Sequence, residues 1–405
     1  MKEWKKVKFL DYIELNPKVL INKGEICPFI EMANVDCNMR QPRSFEYKPF
    51  TSGVKFQTYD TVIARIEPCL QNGKGFLFTK QGVGFGSTEY LVFRAKSSKT
   101  IPLFVYYFMR THKIKTLMCN SMSGATGRQR VNNDVFLNLE VDIPYYYEQQ
   151  RIATILSRYD SLIENYQKQI KLLEESAQRL YKEWFVDLRF PGHENVQIVD
   201  GVPEGWEVVT VDDLAGKLES GSRPKGGIDT SIKYGVASVG AENVIGLGQY
   251  NFSSEKLVTY DFYSNAKRGK IENKDILIYK DGAYIGRTSL FQDNFPHKKA
   301  MVNEHVFLLH TKKEVNQYFL FFTLYQKVYF EKMQKLNKNA AQPGINQDAI
   351  KSIKLLMPNK RLIVLFDEII SPMMKVLFDL ANQIHNLTEA RDRLLPKLMS
   401  GEIEV

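Results

Sequence analysis

The chain has 405 residues, 44% hydrophobic and 25% charged, which excludes wholesale disorder and points to two or three domains with real cores. Its 55 Lys and Arg against 46 Asp and Glu leave a formal charge of +9, so a polyanion is the first partner to consider. No stretch approaches the ~20 apolar residues of a membrane span, no secretory h-region is present, and Cys27, Cys37, Cys69 and Cys119 form no C-x-x-C pair and do not cluster with the histidines; the expectation is a cytoplasmic protein in a reducing compartment, without membrane contact or metal.

Along the first half, short apolar runs predict strands at 54–57, 61–66, 75–79, 90–95 and 139–143, with one helix over 102–118. Gly82-Val83-Gly84-Phe85-Gly86 lacks the preceding strand, following helix and acidic partner of a cofactor loop, and is read as a turn between strands. After Pro144 the pattern becomes helical. Ile152, Leu156, Tyr159, Ile163, Tyr166, Ile170, Leu173, Ala177, Leu180 and Trp184 alternate steps of four and three, the 3.5-residue period of a coiled-coil seam. A helix over 148–184 is about 55 Å long at 1.5 Å per residue.

The second half predicts strands at 207–211, 275–280, 287–292 and 304–310, a helix over 315–335, and a second seam. That seam is Phe366, Ile370, Met373, Leu377, Leu380, Ile384, Leu387, Leu394 and Leu398, with Arg391 as its one polar member. Ser371 followed by Pro372 has the form of an N-cap and first helical residue, so the helix is expected to kink or restart there; Pro396 suggests an end or kink in the last turn.

The two halves repeat. At an offset near 214, Thr61-Val62-Ile63-Ala64 answers Asp275-Ile276-Leu277-Ile278, the runs LFVYYFMR and YFLFFTLY coincide, Val131-Asn132-x-Asp134 answers Ile345-Asn346-x-Asp348, and Pro144 answers Pro358. Glu89 answers Glu304 at 215, and Trp4-x-x-Val7 answers Trp206-x-x-Val209 at 202. The shorter offset implies about a dozen extra residues early in the second half, for which SGSRPKGG at 220–227 is the candidate. A period this long is a duplicated domain with a duplicated connector rather than a solenoid. Each long helix is expected to cover its apolar stripe by pairing with the other. The helices carry nearly balanced charge and leave 43 basic against 35 acidic residues elsewhere, so any polyanion is expected on the domains.

Between the strands lie turn-rich basic loops: Arg40-x-x-Arg43, the Gln71–Gly75 loop with Lys74, the Ser123–Arg130 loop with Arg128, Gln129 and Arg130, then Arg223-Pro224-Lys225, and the Lys280–Arg287 loop with Tyr284. Arg and Lys offer contacts to guanine and phosphate, Gln to adenine, and Gly lets a backbone come close to a duplex. The framework repeats while these loops differ, so the halves are expected to read two different sequences.

The sequence resembles the specificity subunits of type I restriction–modification enzymes. The resemblance is carried by EQQRIATILSRYDSLIENYQKQIKLLEESAQRLYKEWFVDLRFPG (148–192), VPEGWEVVTVDDL (202–214), SGSRPKGG, KDGAYIGR, Gln342-Pro343-Gly344-Ile345-Asn346-x-x-x-Ile350 and the final RLLPKLMSGEIEV. It implies an α+β fold with two mixed α/β target recognition domains (1–145 and 191–358) joined and spaced by two long antiparallel coiled-coil helices (146–190 and 359–405). It also implies a bipartite, asymmetric double-stranded DNA target. Two methyltransferase subunits and the restriction/translocase subunits would dock on the helices, and those partners, not this chain, would hold S-adenosylmethionine, ATP and Mg. Departures are few: the first half starts almost at Met1 with no leading segment, and Pro372 interrupts the second helix.

Catalytic machinery is not evident. Asn16-Pro17-Lys18-Val19 lacks the second proline and the aromatic of an amino-methyltransferase motif, there is no P-loop, and Asp275…Lys280 is read as an acid the first half does not share. His305 is read as a packed framework residue. A non-catalytic DNA-reading adapter is therefore expected, against a DNA-modifying enzyme or a coiled-coil scaffold whose charge is incidental.

Overall fold

In a computed structural model, the structure describes residues 4–125, 127–337 and 343–405. Its contacts divide the chain into two units, Met1–Asn165 with His385–Val405, and Tyr166–Ile384. The long helices are thus not bodies of their own, because each unit takes part of both.

In the first unit an antiparallel sheet runs in the order Ile13–Leu15, Tyr90–Ala95, Thr61–Ala64, Gly75–Leu77. A second sheet runs Glu46–Pro49, Ile26–Ile30, Val83–Gly86, Val54–Gln57, its middle pair parallel. A ribbon of Lys5–Lys8 with Glu140–Ile143 ties the domain's start to its end. The second unit uses the same plan: Ala215–Ser220, Val306–Thr311, Ile276–Tyr279, Thr288–Leu290; then Lys256–Val258, Val236–Val239, Ala300–Val302, the last two parallel; and a ribbon of Glu207–Thr210 with Lys354–Met357. Thr61–Ala64 and most of Ile276–Tyr279 are buried, as a continuous apolar run in a central strand should be.

Strand register corrects the sequence alignment. Thr61 faces Phe93 and Ile276 faces Leu309, which makes Asp60 the counterpart of Asp275. Both are fully buried. Asp60 accepts two hydrogen bonds from Arg94, at 2.7 and 2.8 Å, and Asp275 meets Nδ1 of His310 at 2.6 Å. The acid is shared after all, as a buried charge given a cationic or histidine partner across the sheet.

Other expectations also change. Val83–Gly86 is an inner strand, not a turn. A Cβ on Gly84 would lie 2.7 Å from Phe56, and one on Gly86 2.6 Å from the Ile30 carbonyl, so these glycines serve close packing. The 102–118 helix is two, Pro102–Met109 and His112–Asn120, the second capped by Thr111. The 315–335 helix is likewise Gln317–Tyr325 and Lys327–Lys335.

The long helices run Tyr146–Tyr181, ending in a π turn at Lys182–Val186, and Lys360–Ser400. The second passes through both prolines. Pro372 and Pro396 are exposed, as are Glu368 and Asp392 four residues before each, so the carbonyls freed by the missing N–H groups belong to the solvent face. Ser371 does not start a helix; its hydroxyl bonds Asp367 at 3.0 Å.

No described seam residue is exposed. In the first unit Ile152 and Leu156 share a core with Leu394 and Leu398. In the second, Ile170, Leu173, Leu180 and Trp184 share one with Phe366, Ile370, Leu377, Leu380 and Ile384. Within the first unit Glu148 and Ile152 line one cavity with Leu398 and Met399 while Asp160 meets Arg391, so there the two strips run antiparallel. The pairing is not free-standing, because domain side chains share the stripe: Tyr181 bonds Thr323 at 2.8 Å, and Tyr107 bonds Asp160 at 2.5 Å.

Arg391, the exception in the seam, is nine-tenths buried or more and donates to Asp160 at 2.7 Å and to the Asn38 carbonyl at 3.0 Å. Arg40 pairs with Glu164 at 2.8 Å. The segment leading into the Arg43 loop is thereby tied to both helices within the first unit.

Candidate nucleic-acid interface

In the first unit three segments converge: 65–67 after the central strand, 87–89 before its neighbour, and 123–131 after the second short helix. Arg65 N donates to Glu89 O (2.8 Å), Val131 N to Arg65 O (3.0 Å), and Glu67 N to Gln129 O (2.9 Å). Ile66 bridges Arg130, and Ser123 and Arg130 bond each other in both directions.

The second unit builds the same frame from different residues. Lys280 N donates to His305 O (3.1 Å), Ile345 N to Lys280 O (3.0 Å), and Gly282 N to Pro343 O (3.0 Å). Asp281 bridges Gly344. The repeated backbone therefore carries Arg65, Ile66, Gln129 and Arg130 in one unit and Lys280, Asp281, Pro343 and Gly344 in the other.

Arg128, Gln129 and Arg130 all stand at the first convergence. The Arg130 guanidinium holds Glu89 at 2.6–3.0 Å through Nε and Nη2, and Nη1 donates to the Arg128 carbonyl at 3.3 Å. Arg128 is exposed and has no hydrogen-bond or charge partner for its guanidinium among the described residues. Gln129 makes a 3.4 Å contact to the Gly124 carbonyl. Lys74 spends its ammonium on the Met32 carbonyl at 2.9 Å. Arg43 lies apart, on the 32–43 segment, held by Asp36. Thr126 of this loop and Gln342 of the corresponding motif lie outside the described residues.

At the second convergence Lys280 donates to the Glu304 carbonyl at 2.8 Å, and Arg223 reaches the Glu304 carboxylate at 3.2 Å. Arg287 lies 4.0 Å over the ring of Tyr284, which is 54% exposed, and donates to the Val244 carbonyl. Lys225 is exposed on the 221–227 segment. Gly221 explains how that segment arrives. A Cβ there would fall 1.5 Å from the Val302 carbonyl, and its N–H donates to Asn303 O at 3.1 Å, so only glycine lets the inserted loop cross at this depth.

Sequence reasoning missed three features. Arg65 sits at the centre of the first frame, with Nη2 on the Val131 carbonyl at 3.2 Å and a buried Nε without a partner among the described residues. His305 is not packed: it is half-exposed in the turn before its strand and meets Asp281 at 2.9 Å. By backbone bonding His305 is the counterpart of Glu89, so Glu304 stands one residue out of register within the same turn. Lys80 lies over the rings of Phe45 and Tyr47, at 5.1 and 5.6 Å; the alternation Phe45-x-Tyr47 beside a basic loop was the available signal.

These arrangements suit contact with a polyanion: basic side chains on glycine-opened loops, all but Arg128 and Lys225 of the candidates already oriented by carbonyls or carboxylates. Among the described residues no three His, Cys, Asp or Glu side chains are grouped to hold a metal, and no helix is long and apolar enough to cross a membrane.

The sequence matches the family described as type I restriction modification DNA specificity domain over residues 1–175 and 203–390. The type I restriction enzyme MjaIX specificity subunit of Methanocaldococcus jannaschii is 27% identical over 315 residues, spanning 75% of this chain and 69% of its own. The HindI specificity subunit of Haemophilus influenzae is 24% identical over 389 residues, spanning 78% and 81%. The solved S subunit of a type I restriction–modification system from M. genitalium superposes with a TM-score of 0.58 at 17% identity, over 98% of this chain and 96% of that one, a likeness of fold.

Proposed function

Because the chain belongs to the type I restriction–modification DNA specificity family, a non-catalytic DNA-recognition family, we propose that it reads a bipartite, asymmetric DNA target, one half-site at each unit's converging loops. The observation that carries this reading is the repeated hydrogen-bonded frame with different side chains on it. One backbone solution carries Gln129 and Arg130, beside Arg128, in one unit and Lys280, beside Tyr284 and Arg287, in the other, where the inserted 221–227 segment adds Arg223. Phosphate contacts supply most of the affinity, and base-edge contacts the sequence preference.

The long helices set the gap between half-sites and dock two methyltransferase subunits, with the restriction/translocase subunits completing the assembly in a prokaryotic cytoplasm. Their outer faces support docking: Leu162 and Leu172 on the first, and Val364, Ile369 and Val376 on the second, are large apolar residues left exposed. S-adenosylmethionine, ATP and Mg belong to those partners.

The test is retardation of DNA by the purified full chain, with and without methyltransferase subunits, at ~150 mM salt among random competitors. One sequence is expected to be selected, and methyl transfer from labelled S-adenosylmethionine is expected only with the partner present. Retention of no DNA even at low salt would leave a scaffold and sink the reading.

A further inference from the structure

We propose that Arg130 and Arg223 are the guanine-reading side chains of the two half-sites, and that Glu89 and Glu304 are positioning residues that aim them. The inference rests on the DNA-reading function proposed above and goes on to name the base and the residues.

A guanidinium carries five N–H groups in a rigid fork. In Arg130, Nε and one N–H of Nη2 face the Glu89 carboxylate, at 2.6–3.0 Å, and one N–H of Nη1 faces the Arg128 carbonyl, at 3.3 Å. Three of the five N–H groups are therefore engaged. What remains without a partner among the described residues is one N–H on each terminal nitrogen. That pair matches O6 and N7 of guanine in the major groove and no other base edge as well. The side chain is 46% exposed and its carboxylate partner 23%, so the arginine's free end faces outward while its anchor is sheltered. Its backbone is pinned as well, through the two bonds to Ser123.

Charge points the same way. Arg130 with Glu89 is a neutral pair, which gains little from a phosphate and loses little beside an uncharged base edge. Arg128, exposed and without a carboxylate, is the phosphate-type contact of the same loop.

The second unit reaches the same end by another route. Gly344 occupies the position equivalent to Arg130, so that loop has no arginine to offer. The inserted 221–227 segment brings Arg223 instead, over Gly221, to the Glu304 carboxylate at 3.2 Å through Nε. Arg223 is 60% exposed, and its terminal nitrogens have no partner among the described residues. One turn of the fold thus sets a carboxylate beside an arginine in each unit, gripped by several hydrogen bonds in the first and by a single ion pair in the second, and drawn from loops that do not correspond, which places the two guanines differently in the two half-sites.

The experiment uses the full chain with its methyltransferase partner and duplexes carrying the motif methylated in the host, each base pair replaced in turn. The wild type is expected to lose at least about fivefold in affinity when one particular guanine of one half-site is replaced. Arg130→Lys and Glu89→Gln should both erase that preference, leave the other half-site's preferences intact, and leave the slope of log K against log salt nearly unchanged. Arg223→Lys should do the same to the other half-site. Thermal melting of each variant controls for folding. Retained preference at every position in Arg130→Lys, or a uniform loss across sequences with a lower salt slope, would overturn the inference. Absence of any sequence preference in the wild type would instead overturn the DNA-reading function on which it rests.

Discussion

The buried pair Asp160–Arg391 offers a sharp test of how the helices are matched. Arg391 bonds Asp160, the Asn38 carbonyl and the exposed Asp392, and Asp160 also receives the Tyr107 hydroxyl. Arg391→Ala leaves Asp160 charged, buried and held by one hydroxyl, a defect worth about 3–5 kcal/mol. For a unit of this size that is a fall of roughly 6–20 °C in Tm, at about 2–4 °C per kcal/mol. The repeat shows the alternative. At an offset of 214 the counterparts of Asp160 and Arg391 are Met374 and Ala177, both fully buried. The double change Asp160→Met with Arg391→Ala installs that apolar pair in the first unit. It removes the uncompensated charge but leaves the Asn38 carbonyl and the Tyr107 hydroxyl without partners, so it should recover about 2 kcal/mol of the single-mutant loss rather than all of it. Calorimetric melting of the wild type, both singles and the double gives the coupling directly. A single-mutant Tm within about 4 °C of wild type, or a double mutant as unstable as the sum of the singles, would refute the reasoning.

Other consequences follow from particular residues. Gly221→Ala should displace the 221–227 segment, because its Cβ has no room beside Val302; discrimination in the second half-site should be lost and the first retained, as read by binding to base-replaced duplexes. Arg128→Ala should weaken binding across all sequences and lower the log K against log salt slope by about one, measured between 50 and 200 mM salt. Burial holds the Glu174 carboxyl, bonded to Tyr325 at 2.5 Å, above the ordinary carboxylate range. The folded chain therefore binds that proton more tightly than the unfolded chain, and stability rises as pH falls through the raised value toward the unfolded one near 4.3. Glu174→Gln should remove that part of the slope and match or exceed wild-type Tm at pH 7–8. Removing four residues from 160–180 takes out about 6 Å of helix and should change the accepted gap between half-sites; an unchanged gap would remove the helices' spacing role.

Much of this was legible because it repeats or is periodic. The ten-position seams, the 214-residue offset and the position of the inserted SGSRPKGG are all features of residue order. What escaped depends on tertiary contact. Val83–Gly86 looked like a turn because nothing local shows that Phe56 and the Ile30 carbonyl need glycine beside them. Pro372 looked like a kink or a restart because the sequence does not say which face meets water. Asp275 looked unshared because a one-residue shift is invisible until strands pair. At the interface the sequence supplied the basic loops but not their grouping. Arg43 and Arg130 read alike, yet one is held by Asp36 on its own segment and the other by Glu89 from a distant turn. Arg391 stood out as the polar member of a seam, and only the opposed helix explains it.

The central claim is that two separable reading heads share one duplicated frame. It is tested most directly by replacing residues 1–145 with the first recognition domain of another specificity subunit and sequencing the methylated motif in a host that supplies the methyltransferase. One half of the motif should change to that of the donor, with the gap and the other half retained. A motif changed in both halves, or methylation that persists with neither half changed, would contradict it.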